Sequence, residues 1–475
     1  MKTILRLSFP LVAAEIAISF NGFTDGLFLS RLSETALRAS LPANMIAACV
    51  LAPITAALSY SGTLVAQACG GRRPAQAVAV FAQALWMTLA SVPVFFAAIP
   101  VAQTTLALFG HGPDILGQER LLSAITLAGS PLTLASAVAA GFFSGQRKTR
   151  LVGAVTIAGA FAKIVLTPLL VFGIGPLSAQ GIAGAGLAFV GSGLITSAIY
   201  LAALLRDPLA RTVLRRPRLL AFRPKLSANI LRKSGPVFAS SVISTGAFML
   251  TVSLIARLDA LSAAASSAVF AINCPFNAVM SGIRSGIVIL IGRHTGGHRV
   301  DEIARTLKAS CAIASVLSLG YIALLAVFAH GLLRLFLSSD TPFNEGAFLA
   351  CGTGIIVLLA VRIPIEFGGL IVQAALLGVG RTRALLDSSL QISAGVWVPL
   401  LALVTWLRPS AAAYWLTIAV HTLLRALVNL RSLRLHLPSA ADTPDLKPVQ
   451  LSKRRMRSAS SENALLVSRR HFSVS

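Results

Sequence analysis

Twelve stretches of this chain are each apolar for about twenty residues or more, and few folds can bury that many. They run roughly over residues 7–30, 39–66, 78–101, 121–144, 151–173, 181–205, 235–256, 263–291, 309–333, 347–378, 388–407 and 411–430. At 1.5 Å per helical residue each reaches across the ~30 Å hydrocarbon layer of a bilayer, and the longer ones permit tilt. Backbone N–H and C=O groups in lipid must be satisfied within the segment, which makes these stretches helices. Only 12% of the 475 residues are charged, against 56% hydrophobic; a soluble domain carries about twice that charged share. The chain is therefore expected to be an all-α polytopic membrane protein. Its start, MKTILRLSFPLVAA, resembles a secretory signal but lacks a polar cleavage region, which predicts a first membrane helix instead.

A net charge of +25 would suggest nucleic acid in a soluble protein. Here the charges cluster between apolar segments. If there are twelve crossings, 31 of the 41 Lys and Arg fall on one side, and six (Arg31, Arg38, Arg120, Arg257, Arg334 and Arg408) on the other. That imbalance predicts cytoplasmic N- and C-termini.

The chain repeats itself at a step of 226 residues. Pro10 maps onto Pro236, each expected to begin an apolar helix after a basic lead. Arg31–Leu32 maps onto Arg257–Leu258, Ala39–Ser40 onto Ala265–Ser266, and Gly70–Gly71 onto Gly296–Gly297. Two pseudo-symmetric six-helix bundles follow, an N-terminal lobe over 1–205 and a C-terminal lobe over 235–433. A basic cytoplasmic linker, 206–234, joins them. Two such bundles facing one another make a cleft, as in parallel-repeat transporters. The polar, basic segment over 434–475 reads as a disordered cytoplasmic tail; its SKRRMR stretch also suits an anionic lipid surface.

Seven ionisable residues lie inside the apolar segments: Glu15, Asp25, Lys163, Arg284, Arg362, Glu366 and Arg425. Such charges are costly in a bilayer and mark a pathway or a pair. Asp25 precedes Arg31 by six residues, about 9 Å of helix, with Asn21 one turn earlier on the same face. A carboxylate beside an amide there suits a proton or a small cation. Lys163 is thirteen residues, about 20 Å, beyond Arg150. It thus shares the depth of Asp25 and is expected to approach it; a mutual ion pair would lower the desolvation cost of both. Arg362 and Glu366 are spaced to meet on one helix face, as a static pair or as a solute or proton site. Arg284 lies between Gly282 and Gly286, which leave room for a close helix or a ligand. Glu15 is placed toward the cytoplasmic mouth. Arg425, near a helix end, is expected to snorkel.

No phosphate-binding GxxxxGK[ST], HExxH or nucleophile elbow is present, so the chain is not read as an enzyme. Cys49, Cys69, Cys274, Cys311 and Cys351 show no metal-ligand spacing, and no cofactor or metal is expected. The glycines of Gly173–Gly186 lie between apolar helices and not after a soluble strand. Energy for transport must then come from a proton or sodium gradient, the membrane potential or the solute's own gradient.

Several motifs carry a family resemblance. FPLVAAEIAISFNGFTDGLFLSRL, LVAQACGGRR with Gln67, Gly70, Gly71 and Arg72, KIVLTPLLVFGIGPLSAQGIAGAGLA (Lys163–Ala188) and GVGRTR (Gly378–Arg383) resemble the multidrug and toxin extrusion (MATE) family, within the wider flippase-like superfamily. The resemblance covers residues 1 to about 433. It implies a V-shaped twelve-helix secondary transporter that alternates between outward- and inward-open states and exports drugs, toxins or metabolites against protons or sodium. It carries Asp25 over as the N-lobe coupling site; the placement of the charges themselves adds Asn21, Lys163 and Glu366 as further ion-coupling candidates. Arg284, Arg362, Thr167 and Gln67 are the substrate-cavity candidates.

The chain departs from the family pattern where many bacterial members have an asparagine and, four residues on, an aspartate before proline. Here stand Lys163, Thr167 and Pro168. One carboxylate beside an ammonium is a poor cation cage, which turns the expectation from sodium toward protons. The interior basic residues turn it toward an anionic or zwitterionic solute. The alternative is a flippase or exporter of a lipid-linked or other anionic intermediate. The expected setting is a bacterial inner membrane, with lipids as neighbours and a monomeric transport unit.

Overall fold

The computed structural model describes residues 1–173, 178–214, 221–336, 344–407 and 409–436. Four expectations thus fall wholly or partly outside the described residues: the tail beyond 436, positions 215–220 of the linker, positions 174–177 of the glycine-rich stretch, and Arg408. Among the described residues twelve helices are long and apolar enough to cross a membrane. They are α1 (Lys2–Leu32), α2 (Glu34–Gly70), α3 (Pro74–Ala107), α4 (Pro113–Gly145), α5 (Thr149–Phe172), α6 (Ile182–Arg206), α7 (Pro224–Ala256), α8 (Ala260–Gly296), α9 (Val300–Arg334), α10 (Glu345–Val379), α11 (Thr382–Leu407) and α12 (Ala411–His436).

The helices outrun the apolar stretches that announce them. α2 and α8 have 37 residues each, about 55 Å of rise, so their ends project beyond the hydrocarbon layer. Pro10 and Pro236 do not begin helices. They sit inside α1 and α7, whose basic leads are already helical. Hydropathy marks only the part of a helix that meets lipid. For the same reason 224–234, expected to be linker, forms the first turns of α7, and a short helix, Pro208–Leu214, lies before it.

The 226-residue repeat extends to the caps. Ser33 accepts a hydrogen bond from Ala36 N at 3.0 Å, and its counterpart Asp259 accepts one from Ser262 N at 3.0 Å. Each satisfies one of the free N–H groups that open α2 and α8. Packing repeats as well. Within the first half α2 packs on α4, α1 on α5, α4 on α6 and α3 on α4; the second half pairs α8 with α10, α7 with α11, α10 with α12 and α9 with α10. Across the halves α1 meets α8, α2 meets α7, and α2 meets α8, its own counterpart. Most of the apolar interior divides the same way, although Ile4 and Leu7 of α1 join the second-half cluster and Ile289 of α8 joins the first. One cluster gathers around Phe81, Phe142 and Phe143 and another around Phe276, Phe367 and Trp415.

Lipid is as apolar as leucine, so membrane helices associate by close backbone approach at small residues. A Cβ on Gly62 would lie 2.7 Å from Gly141 Cα, and one on Gly153 would lie 2.5 Å from Pro10 O. Polar pins hold the connection between the halves. Gln83, fully buried in α3, donates from Nε2 to Ala221 O at 3.0 Å. Its Oε1 accepts from Arg223 N at 2.8 Å and Ser227 Oγ at 3.0 Å. Gln83→Leu removes all three bonds, one of them to the buried Ser227, and is expected to destabilise the fold by about 1–3 kcal/mol, read as thermal unfolding in detergent.

Candidate functional site

Asp25 and Lys163 are in contact. Lys163 Nζ donates to Asp25 Oδ2, and the two side chains retain 14% and 16% exposure. α1 presents the acid, α5 the amine, and the tight packing of these two helices sets both at one depth. Thr167, one turn beyond Lys163, places its hydroxyl 2.9 Å from Lys163 O and 3.4 Å from Asp25 Oδ1. The amide Oδ1 of Asn21 is buried and has no protein partner.

This group borders a cavity of about 730 Å³ enclosed by α1, α2, α4, α5 and α6. Asn21, Asp25 and Lys163 line it, together with Asn44, Thr126, Ser136, Thr156, Ser192 and Tyr200. The wall is apolar between these polar points, as in sites for organic molecules of drug size. Thr167 stands behind the pair and is not on the wall.

A second polar group lies in the other half. Arg362 and Glu366 pair along α10, Nη2 to Oε2 at 2.7 Å. Arg362 is 7% exposed, and its Nε has no partner. Arg425 does not snorkel. It turns inward from α12 and donates from Nη2 to Ser389 Oγ at 3.2 Å, while its own Nε is also unpartnered. Ser389 in turn meets Ser240 Oγ at 2.7 Å. One turn before Arg425, His421 stacks on Trp397 with ring centroids 4.0 Å apart and bonds Ser393 Oγ through Nε2 at 3.0 Å. Ser389, Ser393 and Trp397 belong to a π-helical segment, Ser389–Trp397, within α11; such segments recur at functional sites.

Arg284 lies within electrostatic reach of both Glu15 and Arg425, and Ser281 lies close to the Glu15 carboxylate. The glycines beside Arg284 serve helix approach rather than a ligand. A Cβ on Gly282 would lie 2.6 Å from Val12 Cα, and one on Gly286 would lie 2.1 Å from Ser8 Oγ.

Gln67 is remote from the cavity. It donates from Nε2 to Gly378 O at 2.8 Å and so ties α2 to α10 at the basic end of the bundle. The glycines around it let the halves close there. A Cβ on Gly296 would lie 1.9 Å from Gln67 O, and one on Gly70 would lie 2.0 Å from Arg293 O. The residues that repeat in sequence thus meet one another across the seam.

Sequence reading passed over His421, Asn429 and Ser389. A signal existed: His421, Arg425 and Asn429 follow one another at four-residue steps, a polar stripe on one face of α12. Asn429 is fully buried with both amide atoms unpartnered. Among the described residues no group of three His, Cys, Asp or Glu side chains gathers as a metal site.

Twelve membrane helices in two matching sets, with buried charge pairs and a solute-sized cavity, define an all-α secondary transporter. The profile of the MatE family matches residues 10–169 and 236–406, and the chain belongs to that family. It is 27% identical over 350 residues to a probable multidrug resistance protein NorM of Pseudomonas aeruginosa, an alignment that covers 73% of this chain and 71% of that one. A MATE structure in complex with MaL6 superposes with a TM-score of 0.82 at 18% identity, covering 92% of this chain and 96% of the other. A MOP superfamily transporter from Pyrococcus furiosus, described as having a binding pocket of reverse polarity that suggests a different function, superposes at 0.80 with 18% identity, covering 93% and 96%.

Proposed function

We propose that this protein exports a small organic solute, drug-like or metabolic, by alternating access, and that inward flow of protons through Asp25 drives the cycle. The observation that carries the reading is the Asp25–Lys163 pair on the wall of the 730 Å³ cavity. Three species compete for the one carboxylate: the ammonium of Lys163, a proton, and a donor group on the solute. A proton on Asp25 removes the charge that holds either of the others. Proton and solute therefore exclude one another, as antiport requires. Sodium fits less well, because a lone carboxylate facing an ammonium offers too few oxygen ligands.

The solute class follows from the charges. Arg284, Arg362 and Arg425 outnumber Glu15 and Glu366, and two of the arginines keep an unpartnered Nε. A zwitterion meets both halves, its ammonium competing at Asp25 and its anionic end engaging the second-half arginines. In this reading the basic end of the bundle faces the cytoplasm of a bacterial cell.

The test is uptake into reconstituted vesicles under an imposed pH gradient, with and without sodium, using cationic, zwitterionic and anionic solutes. Arg425→Gln removes the charge and keeps a polar side chain in its place. It is expected to raise the KM for zwitterionic and anionic solutes about tenfold, the worth of one charge-assisted hydrogen bond, and to leave a cationic dye unaffected. An equal effect on all three classes contradicts the assignment. The same arginine surplus favours a second reading, a flippase for a lipid-linked anionic intermediate. In that case labelled-lipid translocation proceeds without a pH gradient and fails in Arg425→Gln.

A further inference from the structure

A second cavity, of about 460 Å³, opens at the basic end of the bundle and shares no lining residue with the cavity of the Asp25 pair. Four guanidinium groups line it: Arg147 from the turn between α4 and α5, Arg293 from the last turn of α8, Arg299 from the turn after it, and Arg305 from α9. Glu302 is the one carboxylate on its wall among the described residues. That carboxylate is already shared, by His294 Nδ1 at 2.8 Å and Arg299 Nη1 at 3.5 Å. Arg293 spends one nitrogen on Gly145 O at 3.2 Å. Membrane topology accounts for basic residues at this end. It does not account for four of them converging on one concavity, nor for their coming from both halves of the chain.

We propose that this cavity binds a phosphate-bearing anion and that the bound anion ties the two halves together. Guanidinium forks match the oxygens of phosphate in pairs, and an excess of them around one carboxylate leaves donors for such a ligand. The volume exceeds that of inorganic phosphate alone and suits a phospholipid headgroup or a soluble phosphorylated compound. Arg147 and Gly70 are contributed by the first half, Arg293, Arg299 and Arg305 by the second. A Cβ on Gly70 would lie 2.0 Å from the carbonyl oxygen of Arg293, so the cavity is complete only while the seam is closed. An anion bridging Arg147 to the other three arginines therefore holds the seam shut and slows opening at this face. Neither part of this depends on the identity of the coupling ion or of the transported solute.

The test uses the full-length protein, delipidated in neutral detergent. One arm adds inorganic pyrophosphate and follows binding calorimetrically. The other reconstitutes the protein in nanodiscs of phosphatidylcholine with or without phosphatidylglycerol and counts retained phosphatidylglycerol by native mass spectrometry. Arg147→Asn with Arg305→Gln is expected to weaken binding at least about tenfold, by the loss of two charge-assisted contacts. Arg305→Lys retains the charge without the fork and is expected to bind more weakly than the wild type but clearly better than Arg305→Gln, which separates charge loss from misfolding. Binding in the pyrophosphate arm alone assigns a soluble ligand; binding in the lipid arm alone assigns a headgroup. The bridging part is read from Cys69, half-buried at the end of α2 beside Gly70. Its maleimide labelling slows when the anion is bound. No binding in either arm, or equal binding by the double variant, overturns the site; binding with unchanged Cys69 labelling overturns the bridge.

Discussion

Asp25→Asn is expected to reduce proton-driven transport to the background of protein-free vesicles, a loss of about two orders of magnitude or more, on the scale of removing a positioned proton-transfer group. The amide keeps the shape of the carboxylate and can still face Thr167, but it cannot take up and release a proton. It also leaves Lys163 without its counter-charge in a position only 14% exposed. Stranding a buried charge costs about 3–5 kcal/mol, and less beside a wet cavity. A simple loss of activity would therefore not separate coupling from stability. Asp25→Asn with Lys163→Met separates them. The double variant removes both charges, restores the unfolding temperature and, if the pair couples transport, remains unable to accumulate solute. If it recovers gradient-driven transport, the pair only fastens α1 to α5 and the coupling site lies elsewhere.

The depth of Asp25 and Lys163 was legible because distance along a helix is fixed at 1.5 Å per residue and each has a charged reference point, Arg31 and Arg150. Their contact depends on the packing of α1 against α5, which no single-helix argument supplies. Helix number and type were legible for the same elementary reason: lipid leaves the backbone no other way to satisfy itself. Helix ends were not, because hydropathy stops reporting where lipid stops. Arg425 and Gln67 show a different limit. From sequence, a basic residue near a helix end looks as though it reaches for water, and a glutamine near a glycine pair looks as though it could face a ligand. Where each side chain points is set by its neighbours: Ser389 and Ser240 offer Arg425 polar company inside the bundle, and Gly378 offers Gln67 a carbonyl across the seam. The reading of Gly282 and Gly286 left helix approach and ligand space both open, and only the position of α1 chose between them.

The glycine seam carries the other large effect. Gly296→Ala with Gly70→Ala is expected to keep the protein folded and to abolish transport, with the basic end held open. The added Cβ atoms would lie 1.9 Å from Gln67 O and 2.0 Å from Arg293 O. Both obstacles are backbone, so no rotamer change relieves them; the two helices must part. Overpacking of this kind costs about 1–3 kcal/mol per site. Inverting a two-state equilibrium from 99:1 to 1:99 takes about 5.5 kcal/mol, so one substitution shifts the balance and two shift it by about 2–6 kcal/mol, up to a full reversal. Helix propensity works the other way, since alanine gains up to about 1 kcal/mol over glycine in a helix. That predicts an innocuous or slightly stabilising result at Gly246 and Gly320, where a Cβ meets nothing within 4 Å. Pulsed electron–electron spin distances between labels at the last turn of α4 and the first turn of α9 should lengthen in the double variant and stay unchanged in Gly320→Ala. Transport at the wild-type rate by Gly296→Ala with Gly70→Ala would mean that the cycle never passes through a state with this seam closed, and the alternating-access account would fail with it.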